Sequence, residues 1–187
     1  MESTREAIIR ASMRLYTRKG YFNTSMRDIS RETGLSTGAI YHHFAGKEEI
    51  ARENLQRTVA FLLEEFKKSV ARAEDVQGKL FSIIHTLLRL ADENREMMEY
   101  ALYIKHREII PQGKPICSSE PFEFLKNFIR HEMEQKRIRP MDIFTATVCL
   151  TAMPIRFMQL KWDGVIHDEL TRYAEGIFES VWKALKV

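Results

Sequence analysis

Six histidines, two cysteines and twenty-six carboxylates give this 187-residue chain the means for acid–base or metal chemistry, but their spacing does not organise them. His131-Glu132 opens as a zinc-binding HExxH would, yet the fifth residue is Gln135, so the second imidazole is missing. No histidine has a glutamate three positions before it, which removes the paired Glu-x-x-His of a bundle-type di-iron site. There is no GxSxG, no P-loop and no GxGxxG. His85, His106 and His131 fall singly in helical segments and read as packed or solvated side chains. Cys117 and Cys149 lie far apart with no CxxC, as reduced thiols of a cytoplasmic protein would. No enzyme activity, metal or cofactor is expected.

Thr24–Lys47, TSMRDISRETGLSTGAIYHHFAGK, carries a different chemistry. Two short helices flank Gly34-Leu35-Ser36, the glycine-containing turn of a helix-turn-helix. Ser25 followed by Asp28 is a capping-box spacing, with Asp in place of Glu. Ile29, Leu35, Ile40 and Phe44 are spaced to form a small core, which leaves Thr37, Gly38, Tyr41, His42 and His43 on the outer side of the second helix. Such a helix, about 10 Å long at about 1.5 Å per residue, fits a major groove about 12 Å wide. An ordinary helical hairpin with a solvated polar face would show the same bare pattern.

The fuller pattern, G-Y-x-x-T-S-x-R-D-I followed by G-L-S-x-G-x-I-Y-x-H-F-x-x-K-E, resembles the N-terminal domain of TetR-family transcriptional repressors over about residues 5–52. The resemblance implies a dimer that binds a palindromic DNA operator and leaves it when a small effector binds. It places Thr24, Ser25, Tyr41, His43 and Lys47 near the DNA backbone, the hydroxyls and Lys47 at helix N-termini where phosphate is favoured. Ser36 belongs to the same surface. Thr37 and His42 are the expected readers of base edges, Gly38 lets the helix approach closely, and Arg27 can fork onto a guanine. From Thr33 to Gly46 there is no Lys, Arg, Asp or Glu, so the reading helix discriminates with neutral groups, water and DNA shape.

The elements that must position these residues are helical throughout. An i, i+3, i+7 stripe of Ile8, Ala11 and Leu15 ends at Gly20. A long helix opens at Lys47, two apolar segments follow around 80–90 and 97–110, and 111–119 reads as the clearest loop. Helical pattern then resumes over 122–136, and Asp142 opens Ile143–Trp162, apolar on two faces and expected to be buried on all sides. Pro154 within it predicts a kink. Ile166, Leu170, Tyr173, Ile177, Val181 and Leu185 form a last stripe. The expected fold is all-α with about nine helices, divided into a DNA-binding domain over 1–47 and a helical ligand-binding and dimerisation domain over 48–187.

Two-fold pairing of the last two helices, as the resemblance implies, assigns Ile155, Met158, Trp162, Tyr173, Ile177 and Val181 to a dimer interface. The middle helices offer Met97, Met98, Tyr100, Tyr103, Phe122, Phe128, Cys149, Met153 and Phe157 as lining for an effector, apolar and adaptable enough to favour a lipophilic molecule.

The net charge of +3 concentrates in the same place: residues 1–57 hold ten Lys/Arg against seven Asp/Glu, and the rest is balanced at nineteen each. The first residues lack the apolar core of a signal peptide, and the longest uncharged apolar run, Ile143 to Ile155, is shorter than a membrane span. No membrane partner is expected. An all-α enzyme or lipid-carrying bundle with an incidental helix hairpin stays open on these residues, as does a regulator that answers to a protein partner.

Overall fold

The computed structural model describes residues 3–104, 109 and 118–187. The 111–117 part of the expected loop, with Cys117, and His106 lie outside the described residues. Among the described residues there are nine α-helices and no strand: α1 (Thr4–Lys19), α2 (Met26–Thr33), α3 (Thr37–His43), α4 (Lys47–Ala71), α5 (Val76–Glu93), α6 (Arg95–Tyr103), α7 (Glu120–Glu134), α8 (Ile143–Trp162) and α9 (Ala174–Leu185). The expected all-α fold is the observed one.

The helices sort into two compact units. The first comprises residues 1–60 and 96–119, and the second residues 61–95 and 120–187, so α4 runs through both.

In the first unit, α1 lays Ile8, Ile9, Met13 and Tyr16 against Ile29 of α2, Ile40 of α3, Phe44, Ile50 and Ala51 of α4, and Tyr100 of α6. Both ends of α1 are fixed locally. Ser3 caps α1 by accepting from the Glu6 N–H. Gly20 ends it at φ 85°, a left-handed conformation that glycine adopts without steric cost. Salt bridges between long side chains line the outside, with Glu53 held between Arg5 and Arg57, and Arg57 also on Glu6 at 2.5 Å.

In the second unit, α5 supplies the centre through Leu80, Ile83, Ile84, Leu87 and Leu88, with α8 and α9 packed on it and α7 packed on α8. Asp142 caps α8 through the Thr145 N–H at 2.8 Å. Asp92 of α5 accepts from the Leu170 N–H at 2.8 Å and pairs with Lys161, which fixes the turn after α8.

The expected terminal stripe is not one helix. Gly164 at φ 73° follows the end of α8, Leu170–Tyr173 form a single 3₁₀ turn, and only then does α9 begin.

The larger departure concerns α8. One side, Ala146, Thr147, Leu150, Thr151, Pro154 and Met158, is buried within the unit. The other is open: Phe144 is 63% exposed and Val148 57%, with Ala152 and Met153 on the surface beside them. Burial on all sides, as its composition predicts, is therefore not achieved by this chain alone. By length and a mean hydropathy of 1.4, α8 would also suit a membrane span, although the inner side is packed in a protein core.

Candidate nucleic-acid interface

The α2–α3 pair is built from short-range hydrogen bonds that its own sequence dictates. Ser25 accepts from the Asp28 N–H at 3.2 Å while the Asp28 carboxylate accepts from the Ser25 N–H at 2.8 Å, the reciprocal capping box anticipated from the spacing. The Ser25 hydroxyl also donates to that carboxylate at 2.6 Å. These bonds, together with Lys19 beside it at 3.0 Å, hold the Asp28 carboxyl well below the usual carboxylate range. Gly34, at φ 71° and ψ 5°, turns the chain in the left-handed region. Thr33 secures that turn by donating to Ile29 O at 2.8 Å and accepting from the Leu35 N–H at 3.3 Å. Ser30 adds a 2.5 Å bond to Leu35 O, and Ser36 caps α3 through the Ala39 N–H at 3.1 Å. Ile29, Ile40 and Phe44 are fully buried between the two helices and Leu35 is partly so, as the spacing predicted.

With its apolar side spent on that core, the pair turns polar groups outward. Arg27, Thr37 and Tyr41 line one concave surface of about 760 Å³ together with Phe22, Asn23, Ser25, Gly46 and Lys47. Arg27 is exposed and has no ion-pair partner among the described residues. Tyr41 is 54% exposed. His42 is exposed and meets the ring of His43 edge-on at 5.4 Å. His43 is half-buried, and its carbonyl accepts from Arg5 at 3.0 Å. Gly38 is exposed, and a β-carbon there would meet nothing closer than the Ser36 hydroxyl at 3.9 Å. Nothing inside the protein therefore requires glycine at that position.

Two expected contacts are placed differently. Thr24 is fully buried, with its hydroxyl given to Gly20 O at 2.8 Å. Its role is to close the α1–α2 connection, so the hydroxyl is unavailable to a phosphate. Lys47 does stand at the start of α4, but its ammonium donates to Tyr21 O and Thr24 O, both at 3.1 Å, and lies 4.4 Å from the centre of the Tyr21 ring. Conversely, Phe22 is not among the expected contacts. It is 65% exposed and stands edge-on to Tyr21 at 5.3 Å. An aromatic beside a buried tyrosine reads as core in a sequence, because hydrophobicity alone does not say which of two neighbours faces out.

The expected effector-lining residues are divided. Met97, Met98, Tyr100 and Tyr103 lie in the first unit; Phe122, Phe128, Cys149, Met153 and Phe157 lie in the second. Tyr100 is fully buried and donates to Ala51 O at 2.8 Å, a bond that joins α6 to α4. Its burial pushes the phenol pKa up, as it does for Tyr16. Met98 is buried in the same unit, Met97 is partly buried and Tyr103 is exposed. Phe128 is buried, Phe122, Cys149 and Phe157 are half-buried, and Met153 is exposed. Phe157 packs on Tyr173 with ring centres 4.8 Å apart.

Of the six residues expected at a dimer interface, three are packed inside their own chain. Met158, Ile177 and Val181 are buried in their own chain's core. The α9 stripe covers α5 and α8, and the large apolar residues that α8 leaves exposed are Phe144, Val148 and Met153, on a different side of that helix. Ile155, Trp162 and Tyr173 are half-buried.

Comparison with known proteins agrees with this geometry. Residues 8–53 match the profile of the tetR family of bacterial regulatory proteins. The transcriptional regulator BetI of Agrobacterium fabrum is 30% identical over 81 residues, 43% of this chain and 39% of its own length. The repressor KstR2 of Mycobacterium tuberculosis is 30% identical over 139 residues, 73% of this chain and 63% of that protein. The chain thus spans about two-fifths of BetI and just under two-thirds of KstR2.

The fold is shared more widely. A TetR-family regulator of Marinobacter aquaeolei superposes with a TM-score of 0.81 at 20% identity, over 97% of this chain and 95% of the other. FadR of Bacillus subtilis, solved in complex with stearoyl-CoA, does so with a TM-score of 0.75 at 16% identity, over 94% and 96%. From the capped helix pair to its matching profile, residues 8–53 form a tetR-family N-terminal region, and the chain as a whole has the fold of solved TetR-family regulators.

Proposed function

We propose that the chain is a dimeric, sequence-specific DNA-binding repressor, released from a palindromic operator by a small, apolar effector. The observation that carries the DNA half is the concave surface on which Arg27, Thr37 and Tyr41 converge. Phosphates are met by backbone N–H groups and hydroxyls at the helix starts and by the basic excess of residues 1–57, while bases are read by Thr37, His42 and Arg27. Ser25, Ser36, Tyr41 and His43 complete the surface, and Gly38 lets α3 approach closely.

The open side of α8 supports the dimer. Two copies that bury Phe144 and Val148 against each other would carry two recognition helices, as half-sites about 34 Å apart require. The stearoyl-CoA complex of FadR and the apolar character of Met97, Phe122, Phe128, Cys149, Met153 and Phe157 support a lipophilic effector. Such a ligand shifts DNA binding only by favouring one arrangement of the helices over another. α4, which runs through both units, is the covalent route for that shift.

Binding to the DNA upstream of the chain's own gene, followed from 50 to 200 mM salt, tests the reading. Specific binding whose affinity falls steeply with salt is expected, and salt-insensitive or absent binding would overturn it. Within that assay, Thr37→Ala and His42→Ala should each erode discrimination between operator and scrambled DNA, and Arg27→Ala should lower affinity about tenfold to a hundredfold. Native mass spectrometry of the purified protein would display both the two-copy mass and any retained apolar ligand.

A further inference from the structure

Phe22 is a large apolar side chain that the fold keeps out of its core. The core of the first unit takes in Tyr21, which is 8% exposed and packs on Tyr16 with ring centres 5.3 Å apart, whereas the next residue is 65% exposed. Its neighbours fix that direction. Gly20 turns the chain at φ 85°, and the Asn23 amide donates to Lys19 O at 3.0 Å. The Thr24 N–H donates to Tyr21 O at 3.1 Å and the Thr24 hydroxyl to Gly20 O at 2.8 Å. The Phe22 ring meets Tyr21 edge-on, so it stands on a buried tyrosine with most of its area in water.

That area belongs to the concave surface on which the DNA reading rests. Phe22, half-buried Met26 and Tyr41 supply apolar area there, and Arg27 and Lys47 supply positive charge. No carboxylate is among the described residues that line it. The two Lys47 bonds to Tyr21 O and Thr24 O leave its third N–H and its charge for a phosphate. A phosphate met by that charge carries with it a deoxyribose and the edge of a base. The sugar C–H groups and the 5-methyl of thymine are apolar, and covering a phenyl ring with them releases its water favourably. Contact between a phenyl ring and a thymine methyl is one of the ways a base is read.

We infer that Phe22 is a further DNA contact, an uncharged one outside the recognition helix, which packs on the apolar groups of a nucleotide beside the phosphate that Lys47 meets. The inference rests on the DNA-binding reading and adds to it affinity that is independent of salt. The apolar group is a thymine methyl or a deoxyribose, and the experiment separates the two.

Binding of Phe22→Ala to the DNA upstream of the chain's own gene, measured from 50 to 200 mM salt, is the test. Affinity should fall about tenfold at every salt concentration, with the slope unchanged because a phenyl ring displaces no counterion. Phe22→Leu should recover part of the loss. The thermal midpoint of Phe22→Ala should stay within about 3 °C of the wild type, since the ring is not part of the core. The same DNA with deoxyuridine in place of thymine lacks the methyl groups. If Phe22 meets a methyl, this DNA should cost the wild type more affinity than it costs Phe22→Ala. If Phe22 meets a sugar, the cost should be the same for both.

Wild-type affinity in Phe22→Ala would overturn the contact and leave the DNA-binding reading standing. A shallower salt slope would overturn it too, by tracing the loss to displaced phosphate contacts. A large fall in thermal midpoint, with no recovery of affinity in Phe22→Leu, would make Phe22 a folding residue instead. If the wild type itself shows no salt-dependent binding, the repressor reading fails and this contact fails with it.

Discussion

The outward faces of α3 and α8 are opposites. α3 turns Gly38, Tyr41 and His42 to solvent on a helix of seven residues, while α8 turns out Phe144, Val148 and Met153 on one of twenty. Polar groups on a capped, locally fixed helix are stable in water and available to a ligand that competes with water. Apolar side chains exposed together are not, and such contiguous patches mark interaction sites. One surface is complete as it stands and awaits a partner for function. The other, on the proposed dimer, would gain one for stability.

The largest test of that contrast lies on α8. Replacing Phe144 and Val148 together by Glu should abolish the two-copy mass in native mass spectrometry and weaken self-association by several kcal/mol, because the charges would have to be buried unpaired. A dimer unaffected by the pair would show that the open side of α8 is not the one covered, and the contrast would fail.

On α3 the smaller test has two readouts of opposite sign. Gly38→Ala should raise stability by about 0.5–1 kcal/mol through reduced backbone freedom, because a β-carbon there meets no close neighbour. The same change should weaken operator binding, because the methyl group would stand between helix and DNA. Thermal unfolding and fluorescence anisotropy, run on one preparation, separate the two. Loss of both would mean that the glycine serves the fold after all.

The smallest effect concerns acidity. The Asp28 carboxyl titrates below its ordinary value of 3.8 in the folded chain, so its contribution to stability is complete above about pH 4 and fades as pH falls further. Asp28→Asn should remove that part of the acid dependence. Thermal midpoints at pH 3 and pH 7 should lie closer together in the variant than in the wild type.

The same contrast explains what could be read from residues alone. The caps and the turn of the α2–α3 pair are legible in the sequence: Ser25, Asp28, Gly34 and Ser36 act within three or four residues of themselves, and such caps and turns depend little on the rest of the fold. Lys47 was located correctly, but its partners Tyr21 and Thr24 lie more than twenty residues away, and spacing carries no information about them. The stripe on α9 was visible as a stripe, yet Ile177 and Val181 could equally have faced a second copy. Periodicity finds an apolar side without saying whose core it joins.

The absence of Lys, Arg, Asp and Glu between Thr33 and Gly46 has a consequence for how such a reader would search a chromosome. Ionic strength governs how long a protein lingers on any DNA, through the counterions that its cations displace. The neutral groups of the reading helix displace none, so among the proposed base readers only Arg27 adds to that effect. On the proposed function, salt would then change residence on all sequences nearly alike, leaving the preference for the operator over its competitors almost constant. A cell passing through osmotic stress would alter the occupancy of this regulator more than its choice of site.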